Sequence, residues 1–275
     1  MQVFFGTSPR SALLLEKAVK AGLKVDLVVS QPAKPIGKKQ TLTENPTVSL
    51  AKKLSIPYLE KMEALFNLPS PKLGIILDFN KIVPQRIIDY FQKGIINVHF
   101  SKLPCYRGPA PVQYAILNGD KIAWISYYLI SEKLDQGKIL VQTALDLTLK
   151  ETADELYLKL IDRSSSEIQK IARGFLNGKI LPQPQVGIPT YTHKLTFQNC
   201  RIDWNKSSQE IERLIRAAYP EPGAWCEINL QAKKLKILKS HLEKEKLVLD
   251  EVQLEGKKPV SWNQFKQGYP KAKII

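Results

Sequence analysis

Short apolar runs alternate with amphipathic stretches through the first two-thirds of the chain. Residues 2–5, 25–30, 73–78 and 95–100 read as strands, and residues 11–21, 47–54 and 84–91 carry apolar side chains at helical spacing, the last opened by Pro84. The strands are close to continuously apolar rather than alternating, which is the signature of a parallel sheet covered on both faces. Residues 123–130 and 138–145 follow as two strands with no helical pattern between them and predict an antiparallel or mixed edge. Residues 152–176 then place Leu156, Leu158, Leu160, Ile161, Ile168 and Ile171 on a helical stripe that closes the unit. The pattern predicts an α/β fold with a mostly parallel sheet.

Residues 181–189 hold three prolines and a glycine and read as an extended linker, because proline removes a backbone donor and disfavours helix in the preceding residue. Beyond it, residues 208–218 form a helical pattern carrying Arg213 and Arg216, and a Pro-Glu-Pro-Gly turn follows at 220–223. Residues 224–229, 235–238 and 247–254 then alternate as in a small β-barrel. The expected organisation is a catalytic-type domain over 1–180, a linker over 181–200 and a smaller domain over 201–275.

Composition narrows the class. A chain of 275 residues with 44% hydrophobic and 24% charged residues can bury a sizeable core, which argues against disorder. Three scattered cysteines, Cys105, Cys200 and Cys226, make neither a disulfide framework nor a zinc site, and no metal is expected. The start, Met1-Gln2-Val3-Phe4-Phe5-Gly6, has no basic leader ahead of an apolar stretch, and no apolar run approaches the roughly 18 residues of a membrane span. The expectation is a reduced, cytoplasmic protein with no membrane partner, working as a monomer. A net charge of +15 suits a polyanionic partner such as nucleic acid, and equally suits lysines that decorate the whole surface. Residues 201–275 carry 15 Lys and Arg against 10 Asp and Glu, so only +5 of the excess lies there.

The segment Ile95-Ile96-Asn97-Val98-His99-Phe100 holds the first candidate chemistry. Side chains alternate along a strand, so Asn97 and His99 share a face about 6–7 Å apart. Two polar groups at the end of a buried strand need partners or a ligand, and open α/β sheets bind ligands beyond their carboxyl ends. A rigid loop follows, Ser101-Lys102-Leu103-Pro104-Cys105-Tyr106-Arg107-Gly108-Pro109-Ala110-Pro111, leading into a helix at about 112–118. Its fixed backbone suits presentation of donors and acceptors to a flat heterocycle. Leu134-Asp135-Gln136-Gly137 places a carboxylate in a tight turn between two predicted strands, where Asp and Gly are by themselves ordinary turn residues.

Taken in order, these blocks resemble the signature of folate-dependent formyltransferases. The opening Phe4-Phe5-Gly6-Thr7-Ser8-Pro9 and Gln31-Pro32 are similar to the same family, over roughly the first 240 residues. The resemblance implies a Rossmann-like sheet without a nicotinamide cofactor, since no Gly-x-Gly-x-x-Gly occurs, and an OB-like C-terminal barrel. Tyr191-Thr192-His193-Lys194-Leu195, Arg201-Ile202-Asp203-Trp204 and Ile215-Arg216-Ala217-Ala218-Tyr219-Pro220 resemble the branch that acts on methionyl-tRNA. What that implies is transfer of a formyl group from 10-formyltetrahydrofolate to the α-amine of methionine on initiator tRNA. Nucleotide-sugar formyltransferases and a non-catalytic tRNA-binding homologue stay open as alternatives.

The resemblance also assigns roles. Asn97 would hold the formyl oxygen, His99 would donate to it or move a proton, and Asp135 would orient His99 and help protonate the departing nitrogen. Ser101, Lys102, Leu103, Pro104 and Gly137 would line the folate site. Lys34, Lys38 and Lys39 in the 31–46 loop, with Arg213, Arg216, Lys233, Lys234, Lys236 and Lys239, would contact tRNA phosphates. Three departures from the family pattern stand out. Asp78-Phe79-Asn80-Lys81 replaces a usual Tyr-Gly, Lys102 replaces a usual Leu, and the C-terminal barrel looks trimmed after Lys239.

Overall fold

Strands whose two faces are both apolar can only be stable when both faces are covered, and the first unit is built that way. The computed structural model describes residues 1–36, 40–230 and 233–275. Its elements in chain order are β1 (Gln2–Phe5), α1 (Pro9–Lys20), β2 (Leu27–Val29), β3 (Lys34–Ile36), β4 (Thr41–Thr43), α2 (Pro46–Lys53), β5 (Tyr58–Leu59), β6 (Leu73–Ile76), α3 (Gln85–Tyr90) and β7 (Ile95–His99). Then come α4 (Pro111–Asn118), β8 (Ile122–Leu129), β9 (Ile139–Asp146), α5 (Ala153–Leu176), α6 (Ser208–Ala218), β10 (Ala224–Glu227), β11 (Lys234–Glu243), β12 (Lys246–Leu254), β13 (Val260–Ser261) and α7 (Trp262–Gly268).

Seven strands form the main sheet in the order β5-β2-β1-β6-β7-β8-β9. Those from β5 to β7 are parallel, and β8 runs antiparallel to β7, as the mixed-edge expectation held. Val3, Phe5, Leu27, Val29, Ile76 and Ile95 cluster on one face with Met62, Leu65, Phe79, Ile87 and Phe91. Phe4, Val28, Ile75 and Ile96 fall on the other face by alternation and are just as buried. The chain steps outward from β1 to β2 and β5, then returns to β6 on the other side of β1. That reversal is the topological switch point, beside which α/β sheets bind ligands at their carboxyl ends. Helix α1 starts there, capped by Ser8, whose hydroxyl accepts from the Ser11 amide.

The segment 31–46 is not the irregular loop that its Lys, Pro and Thr content predicted. It contains the two-stranded hairpin β3–β4, with Lys34 opposite Thr43 and Pro35 opposite Leu42. Lys38 and Lys39 lie outside the described residues.

The chain divides into two compact units that differ from the expected boundaries. One comprises Met1–Arg107, Trp124–Ala144 and Leu158–Tyr191, and the other Gly108–Ala123, Leu145–Tyr157 and Thr192–Ile275. Helix α4 explains the difference, because it packs on α6 and so belongs with the C-terminal elements. In that second unit β10, β11, β12 and β13 form an antiparallel sheet, over a core of Cys200, Ile211, Ile215, Trp225, Ile237, Val252 and Phe265. Register shifts between Ile237 and Ser240 bend β11, as barrel-like sheets require. Residues 181–191, expected as linker, are part of the first unit. No helix among the described residues is long and apolar enough to cross a membrane.

Candidate active site

Register places the central side chains. In the β7–β8 pair Asn97 lies opposite Tyr128 and His99 opposite Ser126, so paired side chains share a face. The Asn97 amide donates to the Tyr128 hydroxyl at 2.8 Å, and that hydroxyl donates to Asp135 Oδ1 at 2.7 Å. Oδ2 of Asp135 lies 3.9 Å from His99 Nδ1. The far side of the imidazole is fixed as well, since Nε2 donates to the Tyr106 carbonyl at 3.0 Å. With Nε2 donating there, Nδ1 is the ring nitrogen that faces the carboxylate. His99 and Asp135 are buried and Asn97 is half-buried. Burial pushes the Tyr128 hydroxyl well above the ordinary tyrosine range, with the nearby Asp135 charge adding to the effect. The phenol therefore stays protonated and works as a donor to the carboxylate.

Three residues that the sequence did not single out hold this cluster. Tyr128 joins Asn97 to Asp135, Tyr106 anchors His99, and Gln185 clamps the carboxylate turn. Gln185 donates to the carbonyls of Asp135 and Gly137 at 2.8 and 2.9 Å, and accepts from the Arg107 guanidinium at 2.7 Å. The extended segment around it is thus an active-site strap, tied again where the Arg107 amide donates to the Thr190 carbonyl. Asp135 itself takes a left-handed backbone, φ 54°, which Asp tolerates better than most residues. A Cβ on Gly137 would sit 1.6 Å from the Leu129 carbonyl oxygen, a backbone atom that cannot swing away. Gly137→Ala should shift the turn that carries Asp135. Displacements of about 1 Å at a reacting group can cost on the order of 100-fold in rate. Steady-state kinetics of that variant should show such a loss in kcat, and an unchanged rate would contradict the assigned geometry.

The expected folate loop is held from beneath. Ser126 accepts from the Leu103 amide and donates to the Ser101 carbonyl, while Gln142 donates to the Leu103 carbonyl. The Ser101 hydroxyl donates to the Cys105 carbonyl. Leu103 and Pro104 are buried, whereas Lys102 is exposed and lays its ammonium 4.2 Å from the centre of the Trp124 ring. The Asp78–Lys81 departure keeps the physical features of a Tyr-Gly pair. Phe79 is a buried aromatic with its edge on Phe5, and Asn80 supplies a left-handed backbone at φ 55°. This segment fastens the carboxyl ends of the central strands together. Thr7 donates to the Asp78 carbonyl, Asn80 to Thr7, and Gln31 to the Phe79 carbonyl.

Cys105, in the same loop, is half-buried, while burial pushes the Cys200 and Cys226 thiols up to about 11 and about 12. Alkylation of the native protein near pH 8 should therefore label Cys105 alone. Rapid labelling of Cys200 or Cys226, read by mass spectrometry, would contradict the described packing.

The basic residues are placed unevenly. Arg216, expected among the tRNA phosphate contacts, is engaged within the protein. It is buried, pairs with both Glu212 oxygens at 2.5 and 2.9 Å, and donates to the Glu151 carbonyl at 2.9 Å. Arg213 is half-buried, its guanidinium lies against Gly119, and it lines a hollow of about 180 Å³ together with Ile116, Leu147, Leu156 and Leu242. Lys233 is exposed. Lys234 lies over the stacked Phe197 and Trp225 rings. Lys236 pairs with Glu221 at 3.4 Å and Lys239 with Glu251 at 3.0 Å, surface pairs that a phosphate could displace at little cost. Lys34 donates to the Gln31 side chain.

Comparison with known proteins matches two families along the chain. The family described as Formyl transferase matches residues 1–170, and the one described as Formyl transferase, C-terminal domain, matches residues 194–247. A methionyl-tRNA formyltransferase of Thermodesulfovibrio yellowstonii is 32% identical over 251 residues, 87% of this chain and 80% of the relative. Among solved structures, methionyl-tRNA formyltransferase from Clostridium thermocellum superposes with a TM-score of 0.65 at 19% identity, covering 92% of this chain and 98% of that one. An N-formyltransferase from Helicobacter canadensis, in complex with folinic acid and dTDP-3-aminofucose, gives 0.65 at 22% identity, covering 94% and 98%. At these identities the two structures speak for the fold.

Proposed function

The chain belongs to the formyl transferase family, and on that premise we propose that it moves the formyl group of 10-formyltetrahydrofolate onto the α-amine of methionyl-initiator tRNA, the step that readies this tRNA for translation initiation. The observation that carries this is the linked set of amide, phenol, carboxylate and imidazole at the carboxyl end of β7. Its donors suit a formyl group, which offers one oxygen to hold and leaves behind one nitrogen to protonate. The folate supplies the formyl carbon. Attack by an amine builds negative charge on the formyl oxygen, and Asn97 provides a donor whose position is fixed before reaction. His99 takes the proton of the attacking amine at Nδ1, and Asp135 stabilises the imidazolium so formed. The same pair then returns a proton towards the departing nitrogen. No covalent intermediate with the protein is required.

Ser101, Lys102, Leu103 and Pro104 form the folate side of the site, and the turn at Gly137 closes it. Lys34, Arg213, Lys233, Lys234 and Lys236 supply phosphate contacts that position the tRNA without reading its sequence. The acceptor is what separates this function from formylation of an amino-sugar nucleotide. Incubation of the protein with 10-formyltetrahydrofolate and charged initiator tRNA should yield formyl-methionine and free tetrahydrofolate. Formylation of an amino-sugar nucleotide, with Met-tRNA left untouched, would overturn the proposed acceptor but keep the chemistry. Binding of tRNA with no release of tetrahydrofolate would overturn both.

A further inference from the structure

Tyr128 touches both ends of the proposed machinery. It is 2% exposed, faces Asn97 across the β7–β8 pair, and bonds Asn97 on one side and Asp135 on the other. We propose that Tyr128 is a positioning residue for formyl transfer, setting the orientation of the Asn97 amide and readying the Asp135 carboxylate for His99. This role rests on the transfer function proposed above.

Proton counting along the chain carries it. An ionised carboxylate only accepts, so the single phenolic proton must go to Asp135. The Tyr128 oxygen can then only accept from Asn97, which forces Asn97 to turn its NH₂, not its carbonyl oxygen, towards the ring. The second hydrogen on that nitrogen remains for a formyl oxygen. Nothing about an asparagine fixes which way its amide lies, because its oxygen and nitrogen ends have nearly the same shape. Without the phenol the amide can flip and present an oxygen, which repels the charge it should stabilise. Burial and the Asp135 charge both hold the phenol neutral, so the chain of donors does not invert as pH rises.

The test uses the full chain with 10-formyltetrahydrofolate and charged initiator tRNA, comparing the steady-state kinetics of wild type and Tyr128→Phe. Loss of one charge-assisted hydrogen bond should lower kcat roughly tenfold, with KM for both substrates little changed. A residue that only packs would not lower kcat while leaving both KM values in place. If Tyr128→Phe does not fold, Tyr128→Met fills the space with a flexible apolar chain and is read in the same way. Unchanged kcat, or a raised KM at constant kcat, would overturn the positioning role while the transfer function stands. A wild type that transfers no formyl group would overturn the transfer function and the positioning role together.

Discussion

Asn97→Ala is expected to lower kcat by about 10²–10³, the usual cost of removing one donor to a developing oxyanion, with KM for folate and tRNA nearly unchanged. The split follows from where the amide acts. Its second hydrogen meets charge that exists mainly in the transition state, so the loss should fall on kcat rather than on substrate binding. His99→Ala should cost roughly 10²–10⁴, because both proton movements pass through Nδ1. Its effect should not add fully to that of Asp135→Asn, since the two groups, 3.9 Å apart, handle one proton between them. Steady-state kinetics on the three variants, with circular dichroism to establish folding, measures this. Near-wild-type kcat in either alanine variant would refute the assignment of roles.

The second large effect is on stability. Arg216→Met should destabilise the C-terminal unit by about 3–5 kcal/mol, because breaking a buried pair leaves Glu212 as an uncompensated charge. The arginine is held by Glu212 one helical turn earlier and by the Glu151 carbonyl, so its loss also unties α6 from the 148–151 turn. A Glu212→Gln/Arg216→Met double variant should recover much of the stability, since it removes the stranded charge. Urea unfolding followed by circular dichroism reads both. A weakened tRNA interaction with stability unchanged would instead return Arg216 to the phosphate-contacting group.

How much of this was visible beforehand depended on where each group's partners lie. The strands were legible because burial on both faces demands uninterrupted apolar runs, and β1 and α6 fall where the periodicity placed them. Asn97 and His99 stood out as two polar groups on one face of such a run. Tyr128 did not, since a tyrosine in Ile-Ser-Tyr-Tyr-Leu-Ile looks like any core aromatic until the opposing strand is known. Gln185 was hidden among prolines, where its only signal was a polar side chain in a segment with few donors of its own. The Glu212–Arg216 spacing was readable as an i,i+4 pair. Its burial depended on α4 packing against α6, which no local pattern reveals. The β3–β4 hairpin and α7 are short and weakly patterned, although Ser261 and Gln264 form a capping box that marks the start of α7.

One structure would test the central geometry most directly, that of this chain with a folate carrying a formyl group it cannot transfer. The formyl oxygen should lie within about 3 Å of Asn97 Nδ2, with the His99 ring and the Asp135 carboxylate beside the formyl-bearing nitrogen. A folate bound elsewhere, or a formyl group turned away from Asn97, would contradict the account.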